Sequence, residues 1–79
     1  MSSSLTLYHR QGCHLCEQML AELQGLYAAD VAVVTVDVDS NPELRVRYGL
    51  EVPVLAAGSE ILCRGRLDRE KLEEYLDRG

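Results

Sequence analysis

Two cysteines with two residues between them, in the run Cys13-His14-Leu15-Cys16, are the residues best placed to do chemistry. They open a helical pattern. A sulfur at a helix N-terminus meets unpaired backbone N–H groups and the positive end of the helix dipole. Both favour the thiolate, which is the nucleophilic form. A second thiol one turn further on can attack the mixed disulfide that the first one makes. This spacing assigns Cys13 as nucleophile and Cys16 as resolving thiol. Cys16 also falls on the apolar side of the helix, so it is expected to be the more buried. Arg10 and His14 lie close in sequence to the first sulfur. Either could favour a thiolate, His14 only when protonated, and the plain alternative for His14 is an exposed helix residue without a role.

Two other uses of the pair compete with redox chemistry. A zinc site needs about four ligands, and the other candidates are Cys63, His9 and His14, with Cys63 alone in its segment. Inert buried thiols are common, but a helix-start position argues for exposure. A redox dithiol is the preferred reading. Cys63, in a strand-like segment, reads as a small apolar filler.

The elements that must position this pair follow from periodicity. Leu5-Thr6-Leu7-Tyr8 is rich in strand formers and reads as a first strand, followed by the loop Arg10-Gln11-Gly12. From Cys13, apolar residues recur at Leu15, Cys16, Met19, Leu20, Leu23, Leu26 and Tyr27, which is helical spacing. Val31-Ala32-Val33-Val34-Thr35-Val36 is almost continuously apolar and predicts a strand buried on both faces. Asn41 caps a short helix, Pro42 to Tyr48, with Gly49 as its stop. Pro53–Ala57 and Glu60–Cys63 form a hairpin about the Gly58-Ser59 turn. Asp68 caps a last helix, with Leu67 and Leu72 as its hydrophobic staple and Leu72, Tyr75 and Leu76 as its buried face. The order is β-α-β-α-β-β-α, an α/β class in which an open sheet carries helices on both faces.

Length and composition bound the function. The chain has 79 residues, 47% hydrophobic and 27% charged, as expected of one small globular domain, 1–79. A net charge of −5 disfavours nucleic acid as a partner. Met1-Ser2-Ser3-Ser4 lacks the features of a secretory leader, and no apolar stretch suits a membrane. The expectation is a monomeric cytoplasmic protein with reduced thiols. Arg64, Arg66 and Arg69 cluster late in the chain. They read first as a solvated face paired with acids, and second as a patch for an anionic substrate tail.

The combination of a Cys-x-x-Cys helix, a β-branched strand, a short helix and Val52-Pro53 opening a hairpin resembles the glutaredoxins of the thioredoxin-fold superfamily. The resemblance spans about Leu5 to Leu76. It implies a thioredoxin-like, four-stranded mixed sheet flanked by helices. It implies a thiol–disulfide oxidoreductase acting on a protein or small-molecule disulfide, with no bound cofactor and glutathione as candidate co-substrate. It further implies that Pro53 is cis and that Val52 offers its backbone to the substrate. Arg10 stands where the family commonly has a lysine that binds a glutathione carboxylate. Gly65 and Asp68, in Arg64-Gly65-Arg66-Leu67-Asp68, resemble remnants of a Gly-Gly-x-Asp-Asp motif that receives a second carboxylate. The departures are equally specific. Cys-His-Leu-Cys replaces Cys-Pro-Tyr-Cys, and Glu51 replaces the threonine usual before Val-Pro. A carboxylate at Glu51 tends to repel an anionic tripeptide. The alternative from another class is a non-catalytic binding module of the same fold, holding a metal or an iron–sulfur cluster through Cys13.

Overall fold

The computed structural model describes residues 3–78; the polar start at Met1 and Ser2, and Gly79 at the other end, lie outside them. The elements are β1 (Ser3–His9), α1 (His14–Leu26), β2 (Val31–Asp37), a 3-10 turn (Val38–Ser40), α2 (Pro42–Tyr48), β3 (Val54–Ala57), β4 (Glu60–Arg64) and α3 (Arg69–Arg78). Apart from the 3-10 turn, this is the expected β-α-β-α-β-β-α order. The four strands form one mixed sheet in the order β2-β1-β3-β4. β1 pairs parallel with β2 and antiparallel with β3, and β3 pairs antiparallel with β4.

Strand alternation divides the side chains between two faces. Leu5 and Leu7 of β1, Val31 of β2, Leu55 of β3 and Leu62 of β4 pack with Met19, Leu23 and Tyr27 of the α1 segment and Leu72 of α3. That layer is the main core. Tyr8 points the other way and stacks on Tyr48 of α2, with ring centroids 4.5 Å apart. Helices therefore cover both faces, unequally. Across the core, the Tyr27 hydroxyl contacts Glu73 at 2.5 Å and accepts from Arg69 Nε at 3.3 Å, tying the end of α1 to α3.

The expectation that β2 is buried on both faces is not met. β2 is an edge strand, and Val34 is 53% exposed. Its inward residues, Val31 and Val33, join the core under α1. The seven-residue α2 is too short to cover the opposite face, so the outward residues Ala32 and Val34 meet solvent. The β-branched run reflects strand propensity, which needs a half-buried pleated surface rather than two covered faces.

α2 begins as read, with Asn41 Oδ1 accepting from Glu43 N at 2.8 Å and Pro42 in the first turn. It ends differently. Gly49 has right-handed backbone angles rather than the left-handed ones of a glycine stop (φ −56°, ψ −32°). Glycine is needed there for space, because a Cβ would collide with the Arg45 carbonyl oxygen and come within 3.1 Å of Arg10 Nη2. No helix among the described residues is long and apolar enough to cross a membrane.

Candidate functional site

β1 delivers the chain to the dithiol through a tight turn. Gly12 takes a φ of 75°, a left-handed angle that suits glycine, and Cys13 N–H donates to the Arg10 carbonyl at 3.3 Å. Cys13 is the N-cap of α1. Its backbone is extended, its carbonyl accepts from Glu17 N at 3.1 Å, and its Sγ accepts from Cys16 N at 3.2 Å. The sulfur thus occupies the place of a capping oxygen, in contact with a donor that the first helical turn leaves unpaired. Cys13 and Cys16 are joined by a disulfide with their Cα atoms 5.2 Å apart. Cys13 is half-buried, whereas Cys16 is 3% exposed, so the expected asymmetry is present. His14 is the first residue of α1 and is exposed.

Sheet register brings further segments to the same end. β1 and β3 are antiparallel, with Tyr8 opposite Val54, so Pro53 lies one step on, level with the end of β1. The Val52–Pro53 peptide is cis, as the resemblance implied. Pro53 is buried and Val52 is half-buried. Val54 pairs with Arg64, which sets Gly65 beside Pro53, and Gly65 N–H donates to the Pro53 carbonyl at 2.8 Å. Gly65 has a φ of 76°, and Arg66 N–H donates across it to the Arg64 carbonyl at 2.8 Å. A γ-turn of this hand is strained for any side chain, which accounts for a glycine here.

Several of the remaining residues singled out in the sequence are committed within the protein. The Arg10 guanidinium forms a two-point contact with Asp39, Nε to Oδ2 at 3.0 Å and Nη2 to Oδ1 at 3.2 Å. Its Nη1 donates to the Gly49 carbonyl at 3.2 Å. Arg10 therefore fastens the turn before Cys13 to the 3-10 turn and the end of α2. An external carboxylate would compete with Asp39 for it. Asp68 caps α3 as read, Oδ1 accepting from Lys71 N at 3.0 Å. Glu51 is paired with Arg64 at 3.2 Å, so the carboxylate beside Val52 is locally balanced. Of the late arginines, Arg64 and Arg69 have acidic partners, and Arg66 forms no ion pair among the described residues. Arg66 instead lines a groove of about 330 Å³ with Leu15, Gln18, Gly65 and Leu67.

Sequence reasoning passed over Asp39 and the Gly49 carbonyl, which hold Arg10 from 29 and 39 residues away. It also passed over the second role of Cys63. That thiol is buried, and its Sγ accepts from Asp68 N at 3.3 Å. Burial pushes the Cys63 thiol up from its usual range, outweighing the opposite effect of the Asp68 backbone contact.

Comparison with known proteins agrees with this geometry. The model of the glutaredoxin-like domain (DUF836) matches residues 4–77. The X-ray structure of XcR50, a Northeast Structural Genomics target protein from X. campestris, is 36% identical, with a TM-score of 0.75 over 95% of this chain and 97% of that one. A malarial protein, 17% identical, has a TM-score of 0.57 over 99% of this chain and 97% of its own, a likeness of fold alone. No curated protein matches. A cysteine-capped helix beside a cis-proline turn, on a β2-β1-β3-β4 mixed sheet, places the chain in the thioredoxin-like fold, and the chain belongs to the glutaredoxin-like domain (DUF836) family.

Proposed function

We propose that the chain is a dithiol thiol–disulfide oxidoreductase. The observation that carries this reading is the half-buried Cys13 at the N-cap of α1, its sulfur in contact with Cys16 N–H and bonded to the buried Cys16. In the reduced protein the Cys13 thiolate attacks one sulfur of a substrate disulfide. The substrate S–S bond breaks, its first thiol leaves, and a mixed disulfide on Cys13 remains. Cys16 then loses its proton and attacks the Cys13 sulfur. The second substrate thiol leaves, and the two electrons lost by the cysteines have reduced the substrate. An external thiol returns the Cys13–Cys16 disulfide to the dithiol, and glutathione is the candidate for that part.

The surroundings support a division of labour. Val52, ahead of the buried cis-Pro53, presents its backbone to an extended substrate in a short β-like pairing. Arg66 and the groove beside Leu15 take a negatively charged substrate group, since Arg66 is the late arginine without an ion pair among the described residues. The Glu51–Arg64 pair keeps the approach to Val52 near neutral, which lessens the repulsion of an anionic substrate.

Equilibration with redox buffers, with Cys13→Ser and Cys16→Ser as controls, tests the reading. The expected result is one intramolecular disulfide that disappears in either variant. Failure to form it at any accessible potential overturns the proposal. A Cys16→Ser variant should stall as a mixed disulfide on Cys13, so the trapped adduct names the substrate.

A further inference from the structure

The proposed cycle requires Cys16 to give up a proton while it is 3% exposed. A buried thiol resists ionisation unless a base can receive its proton. On the side of Cys16 away from the groove of Arg66, a cavity of about 230 Å³ opens between α1 and the ends of β1 and β2. Its walls include Leu7, His9, Cys16, Glu17, Leu20 and Thr35. That volume holds several waters at about 30 Å³ each. His9 is the last residue of β1, two positions after Leu7, so alternation turns it to the face that α1 covers. Its imidazole makes no hydrogen bond or ion pair among the described residues, and it is half-buried.

We propose that His9 receives the Cys16 proton, through water in this cavity, during the resolving step. The inference rests on the dithiol reading above. The neutral imidazole takes the proton as Cys16 becomes a thiolate. Cys16 sulfur bonds to Cys13 sulfur, the bond from Cys13 to the substrate breaks, and the departing substrate thiolate takes up a proton from solvent, to which His9 later returns its own. Atoms and charge balance without any further reactant.

Other charged groups border the site. Glu17 of α1 lines the cavity mouth and is exposed, and an ordinary carboxylate is a weaker base toward a thiol than an imidazole. Arg10 also lines the cavity but is occupied by Asp39 and the Gly49 carbonyl. Asp37 sits beside His9 in the β1–β2 register, and its Oδ1 accepts from Asp39 N at 2.8 Å. His14 lies on the exposed start of α1 and is not part of the cavity wall.

Stopped-flow reaction of the reduced protein with dithiobis(nitrobenzoate) separates the steps. Attack by Cys13 releases one coloured thiol at a rate proportional to reagent concentration, and resolution by Cys16 releases a second at a rate independent of it. His9→Gln is expected to leave the first phase within about twofold and to slow the second on the order of 100-fold near neutral pH, the low end of general-base effects. The pH dependence of the second phase should change in this variant, while that of the first phase stays as in the wild type. In His9→Ala, added imidazole should restore the second phase and not the first, a rescue that a merely structural role for His9 would not give. A second phase unchanged in His9→Gln, an equal slowing of both phases, or the same loss in Glu17→Gln overturns the assignment. Absence of any second phase in the wild type overturns the dithiol reading itself, and His9 with it.

Discussion

Cys13 and Cys63 each accept a backbone N–H at the approach to a helix, from Cys16 at 3.2 Å and from Asp68 at 3.3 Å. The contacts are nearly equal in length, but their settings are opposite. Cys13 is the cap of α1 and faces solvent on one side. Cys63 lies in the core under α3, and burial pushes its thiol up. A single N–H contact therefore does not make a thiolate. Lesser burial, together with the aligned first turn of a long helix, is what would favour a thiolate at Cys13 and not at Cys63. On the proposed reading, the same local contact serves a nucleophilic sulfur in one place; in the other it holds the start of a helix.

The largest effect that could break this contrast is on turnover. Cys13→Ser should lower disulfide reduction by more than about 1,000-fold, as expected when a covalent nucleophile is removed. Cys63→Ala should leave it near the wild-type rate, and a comparable loss there would end the contrast. Alkylation of the reduced native protein offers a second comparison. Cys13 should be modified about 100-fold faster than Cys63 near neutral pH, read by mass spectrometry of the digested protein. The raised Cys63 pKa also has a consequence for stability. The contribution of its protonated form is present below the ordinary thiol value of about 8.5 and is lost as pH rises through and beyond it. Denaturant unfolding should therefore show wild type losing stability above that pH relative to Cys63→Ala. The smallest effect concerns the cap beside Cys63. Asp68→Ala should cost about 1 kcal/mol of folding stability, typical of a lost N-cap side chain, with turnover retained. Cys63 should stay slow to alkylate in that variant, because its partner is the backbone N–H of residue 68 and not the carboxylate.

The Cys-x-x-Cys pair, its helix and the deeper burial of Cys16 were legible because each depends on residues within a few positions of one another; the full exposure expected of Cys13 was not met, since it is half-buried. The caps at Asn41 and Asp68 were legible for the same reason. The cis state of Pro53 was not readable from the residues themselves and came only through the family resemblance. Long-range commitments were hidden. Nothing near Arg10 in the sequence indicates that its guanidinium is taken by Asp39 and the Gly49 carbonyl, since that choice depends on how α2 docks. Gly49 was read as a backbone-angle glycine and proved to be a clearance glycine, a distinction that only the backbone path at the end of α2 reveals, since the collision is with the Arg45 carbonyl oxygen. The edge position of β2 was obscured by composition, because β-branched residues mark a strand whether one face or two are covered.

That edge position bears on how readily one copy could pair with another. Val31-Ala32-Val33-Val34-Thr35-Val36 holds no charge, is rich in β-branched residues, and among the described residues has a strand partner on one side only, β1. Segments of this kind template the stacking of identical chains. Here Asp30 precedes the run and Asp37 and Asp39 follow it. Two copies joined in register along this edge would set like carboxylates side by side at both ends of the new ladder, on molecules that each already carry a net charge of −5. The flanking aspartates would thus oppose pairing of this apolar outermost strand with another copy.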